Sequence, residues 1–513
     1  MWKNISKILL LIFAIIFTIT FAIILLKIFI TNNYMFNRTV VILGIVGFIT
    51  ALIFLSYVFK RFETFFEKKY KIILPVFMVL MLGVQIAMAF AMRFSPAFDL
   101  GAVYNGAVEW VNTGTFSSQY EYYYFFPNNL GAMTVYFGIF SIARAFGITD
   151  YFIVASVINA ICSVLMMLFA ALAVKKIFST RLSMLMLVIL SLSLPFYSIA
   201  PAFYTDALSM LFPVLVFYLF LRADDDALPV KKRVLYGLLM GLFAALGILI
   251  KFTVMIAPIA IFIYLLLKGR FKNLLIFSAT SVSIILLTLF ALNAIIYPAH
   301  LDKDVAHIKN TPLLHWTMMG LSEDGKYNPN DYVFTRSFEN PNERDEAIKN
   351  EIKNRIEKMG FKGTAALFLN KASLCFGEAT YASSDFLDDS PANNTDLHKF
   401  LLYNGENFHT YRDLCSISYF SCMILMIICG MRIALSFKKG VQPMLIPILC
   451  IFGIMLFLLF WETNGRYIVN FIPMMLIAAV GGVDTIDDRF FKNKEPLKMV
   501  KLKGKIDENN ENI

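Results

Sequence analysis

The sequence predicts an all-α polytopic membrane protein: a bundle of about 12 transmembrane helices, external interfacial helices and one large external loop. Three observations carry that prediction. Of the 513 residues, 58% are hydrophobic and only 16% are charged, against about 25% charged in soluble domains. Apolar runs of the ~20 residues that an α-helix needs to cross hydrocarbon recur along almost the whole chain. The basic residues cluster in short segments between those runs, so the formal net charge of +10 reports topology and no nucleic acid partner.

The first run, 8 to 30, is too long and too poor in small cleavage-site residues for a signal peptide, and is taken as a span. Further spans follow near 39 to 59, 72 to 92, 151 to 174, 182 to 198, 204 to 221, 234 to 250, 252 to 267, 273 to 297, 414 to 431, 442 to 461 and 467 to 483. GAMTVYFGIFSIARAF, 131 to 146, is short and contains Arg144, and counting it decides the sidedness of everything downstream. If it does not span, the segments assigned to the cytoplasm hold 27 Lys and Arg against 5 in the short external loops (Arg38, Arg93, Arg144, Lys251, Arg466). If it spans, that bias reverses, so it is read as a helix along the outer interface. The expected localisation is therefore a multi-pass cell membrane protein with both termini cytoplasmic.

Five regions result: two spans and a basic cytoplasmic loop (1 to 71), a membrane module with the external loop 93 to 150 (72 to 297), a large external loop (298 to 412), three further spans (413 to 484) and a basic tail (485 to 513). The tail is polar and aperiodic and is expected to be disordered, its lysines near the anionic inner leaflet. Within the large loop, NPNERDEAIKNEIKNRIEKMG, 340 to 360, sets Ile348, Ile352, Ile356 and Met359 on one helical face and stops at Gly360. KGTAALFLNKASLCF, 362 to 376, is its expected partner, the pair capping a groove. DFLDDSPANNTD, 385 to 396, reads either as a divalent-cation site or as a solvated acidic loop. The six cysteines show no metal spacing; four lie in apolar runs, and Cys375 and Cys415 either pair or stay free.

The polar residues at span ends gather on one side. Asp99 follows a span in PAFDLGAVYNGAVEW, ahead of YEYYYFFPNNLG. Asp206 opens a span in PAFYTDALSMLFP, and Lys251 interrupts an apolar stretch in ILIKFTVMIAP. WETNGRYIVNFIP supplies Glu462, Arg466 and Tyr467, and TPLLHWTMMGL supplies His315 and Trp316. Singly, the acids suit helix N-termini, Lys251 can snorkel and the aromatics suit an interfacial belt. Collectively they place two carboxylates, a lysine and an arginine on the external rim, whereas a proton-coupled transporter carries its charges near mid-bilayer. An acid there can accept the proton of an attacking hydroxyl while the cations stabilise a departing phosphate.

These motifs, in this order and sidedness, resemble the GT-C fold glycosyltransferases, in particular the family of protein O-mannosyltransferases and lipid A aminoarabinose transferases. The resemblance covers 72 to 297 and one motif in 442 to 483. FSPAFDLGAVYNGA is similar to the segment bearing that family's catalytic aspartate, which implies Asp99 as general base of an inverting transfer. FFPNNLGAMTVYFGIF matches the interfacial helix, and YTDALSMLFPVLVFYLFLR the acid-bearing turn at Asp206. LGILIKFTVMIAP matches the segment whose lysine faces the lipid phosphate, implying Lys251, and GRYIVNFIP the closing motif, implying Arg466 and Tyr467 in substrate binding. Asp206 and His315 are implied to orient substrate. The single acid at Asp99, in place of an Asp-Glu pair, does not imply a protein acceptor. HWTMMGLSEDGKYNPNDY resembles loops of Gram-positive members, implying a cell-envelope acceptor, with a polyprenyl-phosphate-linked sugar as donor, the bilayer as partner and no metal-ligand motif. Two other classes stand beside this one: a transporter or lipid-linked sugar flippase, and a non-catalytic membrane assembly factor.

Overall fold

The computed structural model describes residues 2 to 225, 227 to 388 and 391 to 490. The expectation for the tail therefore lies outside the described residues from 491 onward. Among the described residues, nine helices are long and apolar enough to cross a membrane: Trp2–Thr31, Arg38–Arg61, Glu63–Ala91, Tyr151–Ile177, Thr205–Ala223, Val230–Ile250, Phe271–Tyr297, Phe408–Leu435 and Gly465–Arg489. Three shorter apolar helices, Thr180–Leu192, Phe252–Lys268 and Leu445–Phe460, occupy the remaining three predicted positions. The architecture is all-α, and its one β-feature among the described residues is an isolated bridge between Phe94 and Pro391. Side-chain caps start several helices where the sequence offers them: Asn37 accepts from the Val40 amide, Asp150 from Ile153 and Ser179 from Leu182, each satisfying an N–H that has no partner inside the helix.

Residues 131 to 145 fall within helix Leu130–Ala145 of 16 residues, with Phe146 as its C-cap, about 24 Å at 1.5 Å per residue and so shorter than the hydrocarbon core. It lies against helix Phe98–Thr113, where Trp110 stacks on Phe137 at 3.9 Å. The predicted spans 182 to 198 and 204 to 221 are interrupted in the structure. Pro195 and Pro201 cannot continue an i to i−4 ladder, and the chain from Ser193 to Tyr204 makes short turns. Its carbonyls are met by side chains from neighbouring helices: Gln85 donates to Phe196 (2.8 Å), Asn159 to Ala200 (2.9 Å) and Tyr136 to Phe203. Irregular backbone persists inside a membrane bundle only when buried and satisfied in this way. The break delivers Asp206 to the end of the bundle.

The two long loops share that end. The Thr311 amide donates to the Phe125 carbonyl (3.0 Å), Ala392 to Arg93 (2.8 Å), and Lys309 pairs with Glu121 (2.8 Å). Gly360, at φ 59, divides Pro341–Gly377 into two helices, as its stop signal predicts. The apolar face of the first is narrower than its spacing suggests, since Ile348 is buried but Ile356 is exposed.

At the opposite end, the basic residues form a lattice with acids of the last helix. Arg181 reaches Asp487 (2.7 Å) and Asp484 (3.5 Å), and Arg432 reaches Asp488 (3.1 Å) as well as Asp484. Residues that sequence presents as topology signals therefore also fasten helices together.

Helix Trp2–Thr31, whose purpose the sequence does not reveal, packs on the C-terminal half. Phe29 meets Phe420 at 5.4 Å, Phe13 meets Phe452 at 5.3 Å, and Phe17 lies over Gly430. All six cysteines are free, so Cys375 and Cys415 do not pair; both are buried, and the Cys375 thiol donates to the Asn464 carbonyl (3.6 Å).

Helices Phe408–Leu435 and Ile472–Phe490 approach through Gly482, where a Cβ would stand 2.0 Å from the Leu425 carbonyl oxygen. A backbone atom cannot yield as a flexible side chain does, so Gly482→Ala is expected to destabilise the bundle by about 1–3 kcal/mol. Thermal unfolding in nanodiscs measures this; an unchanged midpoint contradicts it.

Candidate functional site

Asp99 stands two residues beyond Ala97, the N-cap of helix Phe98–Thr113, and Ala97 offers no side-chain cap. The Asp99 carboxylate in the first turn accepts the Tyr122 hydroxyl at 2.8 Å; that hydroxyl in turn accepts from Asn129 Nδ2 at 2.5 Å. Burial, then the neighbouring Asp99 charge, push the Tyr122 phenol well above its ordinary value, so it remains a donor that fixes the carboxylate. Pro127 opens the short turn 127 to 129 that carries Asn129, its fixed φ suited to that first position. Phe98, just before Asp99, has a left-handed backbone (φ 48) and an exposed ring.

A charge cluster is built by three breaks in regular helix. Asp206 lies in the turn Thr205–Leu208 and is 1% exposed. Lys251 ends helix Val230–Ile250 in extended backbone, and its ammonium pairs with Asp206 Oδ1. Arg466 rides on the 3-10 turn Gly465–Phe471, with Nε 3.6 Å from Asp206 Oδ2. A hydrogen bond from Asn470 to Thr253 (3.0 Å) ties the Arg466 turn to the one following Lys251. Where helix Leu130–Ala145 meets this corner, a Cβ at Gly131 would clash with the Leu249 carbonyl; only glycine fits there.

Aromatic rings close around the cations. The Arg466 guanidinium carbon lies 5.4 Å from the ring centres of Tyr204 and Phe386 and 5.8 Å from Tyr467, and Lys251 Nζ is 5.0 Å from Tyr467. Cation–π attraction is strongest where water is excluded. Arg466 Nε and Asp206 Oδ2 are both buried and face each other at 3.6 Å, an ion pair slightly longer than a hydrogen bond.

Glu462 completes the arrangement and carries more weight than its place in WETNGRY suggests. It is 6% exposed, and the Tyr467 hydroxyl donates to it at 3.4 Å. Burial, with the Asp99 charge adding to it, lifts its pKa to about 7 against the pull of Arg466 and Tyr467. Glu462 therefore holds or releases a proton near neutrality, in the range useful for acid–base work.

The structure thus brings Asp206, Lys251, Arg466 and Tyr467 together and sets Asp99 within electrostatic reach of Arg466 and Glu462. His315 is placed elsewhere in the loop. Its Nδ1 meets Thr335 Oγ1 at 2.6 Å and its ring packs on Trp316, which stacks on Trp461. It is buried, and its ring joins the stack that runs through Trp316 to Trp461. Burial depresses its pKa to about 4, while an unfolded histidine titrates near 6.5. Between those values the unfolded state binds more protons, so stability falls as pH drops from about 6.5 toward 4. Acid-induced exposure of the 313 to 336 region should therefore shrink in His315→Asn, read by hydrogen exchange; an identical acid response in both proteins refutes the assignment.

Tyr122, Asn129, Tyr204 and Glu462 were not among the predicted site residues. The acids of 385 to 396 disperse: Asp385 accepts the Tyr403 hydroxyl (2.5 Å), Asp388 the Tyr403 amide (3.3 Å), and Asp396 pairs with Lys399 (2.9 Å); Asp389 lies outside the described residues. Among the described residues, no three of His, Cys, Asp and Glu gather as metal ligands.

Two crystal structures of ArnT from Cupriavidus metallidurans are similar in part. The undecaprenyl phosphate-bound form overlaps at 11% identity and TM-score 0.34, covering 80% of this chain and 77% of that chain; the apo form overlaps at 12% and 0.35, covering 79% and 77%. No curated protein matches the chain. Over residues 1–485 it matches the family described as conserved hypothetical integral membrane protein. That match runs from the first membrane helix well into the last, Gly465–Arg489, and the chain accordingly belongs to this family of integral membrane proteins.

Proposed function

We propose that the protein is a GT-C-type glycosyltransferase. It transfers a sugar from a polyprenyl-phosphate carrier to a hydroxyl of a cell-envelope acceptor, with inversion, at the external face of a membrane whose cytoplasmic side holds both termini. The carrying observation is the charge count in the buried cluster. Lys251 and Arg466 share the one carboxylate they touch, Asp206, so within the contact cluster one unit of positive charge faces the single negative charge of a phosphodiester, with the more distant Asp99 carboxylate drawing on part of it. Glu462, lifted to about 7, is neutral in about half of the molecules at pH 7, and in those it leaves the surplus intact.

Asp99 is the general base. It takes the proton of the acceptor hydroxyl as the oxygen attacks the anomeric carbon opposite the phosphate. The carbon–oxygen bond to the phosphate breaks, and its electron pair leaves with the carrier phosphate, whose added charge Lys251 and Arg466 stabilise. Tyr122 and Asn129 hold Asp99 in place, and Asp206 orients both cations before substrate arrives. The external face lacks nucleotide sugars, which favours a lipid-linked donor. Purified protein in nanodiscs, given polyprenyl-phosphate sugars and envelope acceptors, tests this directly. Covalent transfer supports the enzyme; flux of lipid-linked sugar in sealed vesicles with no transfer would replace it with the flippase reading.

A further inference from the structure

We infer that Lys371 is a positioning residue: from within the 298 to 412 insertion, its ammonium holds the turn that presents Glu462, Arg466 and Tyr467. The insertion then forms part of the donor site. That role rests on the reading of the site given above, while the contacts themselves do not.

Lys371 is 0% exposed, and its side chain makes three hydrogen bonds, to the carbonyls of Gly320 (2.6 Å), Leu459 (2.8 Å) and Trp461 (2.7 Å). An ammonium has three protons, and all three are used. The acceptors lie at the C-terminal ends of helices Leu313–Gly320 and Leu445–Phe460, where carbonyls lack helical partners and the helix dipole is negative. Two helix ends therefore converge on one buried positive charge, immediately before Glu462.

The rest of the insertion grips the same turn. The Thr463 amide donates to the Gly325 carbonyl (2.7 Å), and the Cys375 thiol donates to that of Asn464. Glycine is required at three contacts. A Cβ at Gly320 would lie 2.6 Å from the Trp461 carbonyl oxygen, one at Gly465 would lie 2.6 Å from the Glu378 Cβ, and Gly325, at φ 71, leaves room only for the Lys371 stem. Phe386, from the same insertion, forms one wall around Arg466.

This clamp is sensitive to pH. Burial lowers the Lys371 pKa to about 8, with Cys375 on its own helix, whose thiol burial pushes up to about 12, and Glu462 on the turn as its titratable neighbours. Helix Leu313–Gly320 brings His315, which is turned to Thr335, and helix Leu445–Phe460 brings only carbonyls to the ammonium. Above about pH 8 the amine loses a proton and one carbonyl loses its donor.

The experiment compares wild type, Lys371→Met and Lys371→Arg in nanodiscs, with sugar transfer followed from pH 6 to 10 and hydrogen exchange read at residues 459 to 467. Wild type is expected to lose activity above about pH 8. Lys371→Met should raise donor KM at least tenfold at pH 7 and speed exchange in 459 to 467, while exchange in helix Tyr151–Ile177 stays as it was. Lys371→Arg, which keeps its charge, should move the alkaline limb upward by at least one pH unit. An unmoved limb in Lys371→Arg, or a folded Lys371→Met with native KM and native exchange, overturns the proposal. If Lys371→Met does not fold, the Lys371→Arg pH profile decides. If wild type transfers no sugar, the enzyme reading fails, and exchange at 459 to 467 above and below pH 8 still decides whether Lys371 holds the turn.

Discussion

Asp99→Asn is expected to lose transfer by a factor of about 10²–10⁴, the usual contribution of a positioned general base. Thermal stability should be unchanged. The amide is the same shape, and its oxygen can still accept the Tyr122 hydroxyl that now meets the carboxylate at 2.8 Å. What it cannot do is take a proton from the acceptor. The competing explanation of Asp99 as a helix cap is already weakened by the structure, because the N-cap is Ala97 and no side-chain cap is made there. Paired measurements of initial rate and unfolding midpoint separate the two, and a fully active Asp99→Asn enzyme removes Asp99 from the mechanism.

The largest stability effect is expected at Asp206→Ala. Lys251 and Arg466 would then face each other across a buried space with no shared anion. Removing one partner of a buried ion pair costs about 3–5 kcal/mol because the remaining charge is left uncompensated, and here two charges remain. A large drop in unfolding temperature in nanodiscs should follow, together with poor folded yield. Charge arithmetic supplies the control. Asp206→Ala combined with Lys251→Met restores a single positive charge, so stability should largely return while donor turnover does not. If Asp206→Ala is as stable as wild type, the carboxylate is not the keystone of the cluster.

Features set by local composition were legible in the sequence: twelve apolar runs, the short helix in 131 to 146 with its awkward Arg144, and the Gly360 stop between two helices. The convergence of Asp206, Lys251 and Arg466 followed from sidedness alone, since each sits at a span end and charge bias assigns those ends. What stayed hidden depends on helix phase and on meetings between distant segments. YEYYYFF offers four tyrosines, and nothing local says that Tyr122 is the one aimed at Asp99. Nothing local marks Lys371, because its three carbonyl partners come from two other helices. That His315 would be buried against Thr335, twenty residues on, depends on packing between two helices of the insertion and had no local signal. Pro195 and Pro201 were visible, yet the runs around them were apolar enough to pass as continuous spans.

The packing of helix Trp2–Thr31 bears on how the chain is made. Its Phe13, Phe17 and Phe29 contact residues near 420, 430 and 452, which leave the ribosome some four hundred residues later. Until then its inward stripe must face lipid or an insertase. A nascent chain arrested before residue 408 should therefore present an unfinished surface to membrane quality control, and substitutions along that stripe should shorten the lifetime of the half-made protein before they alter the finished one.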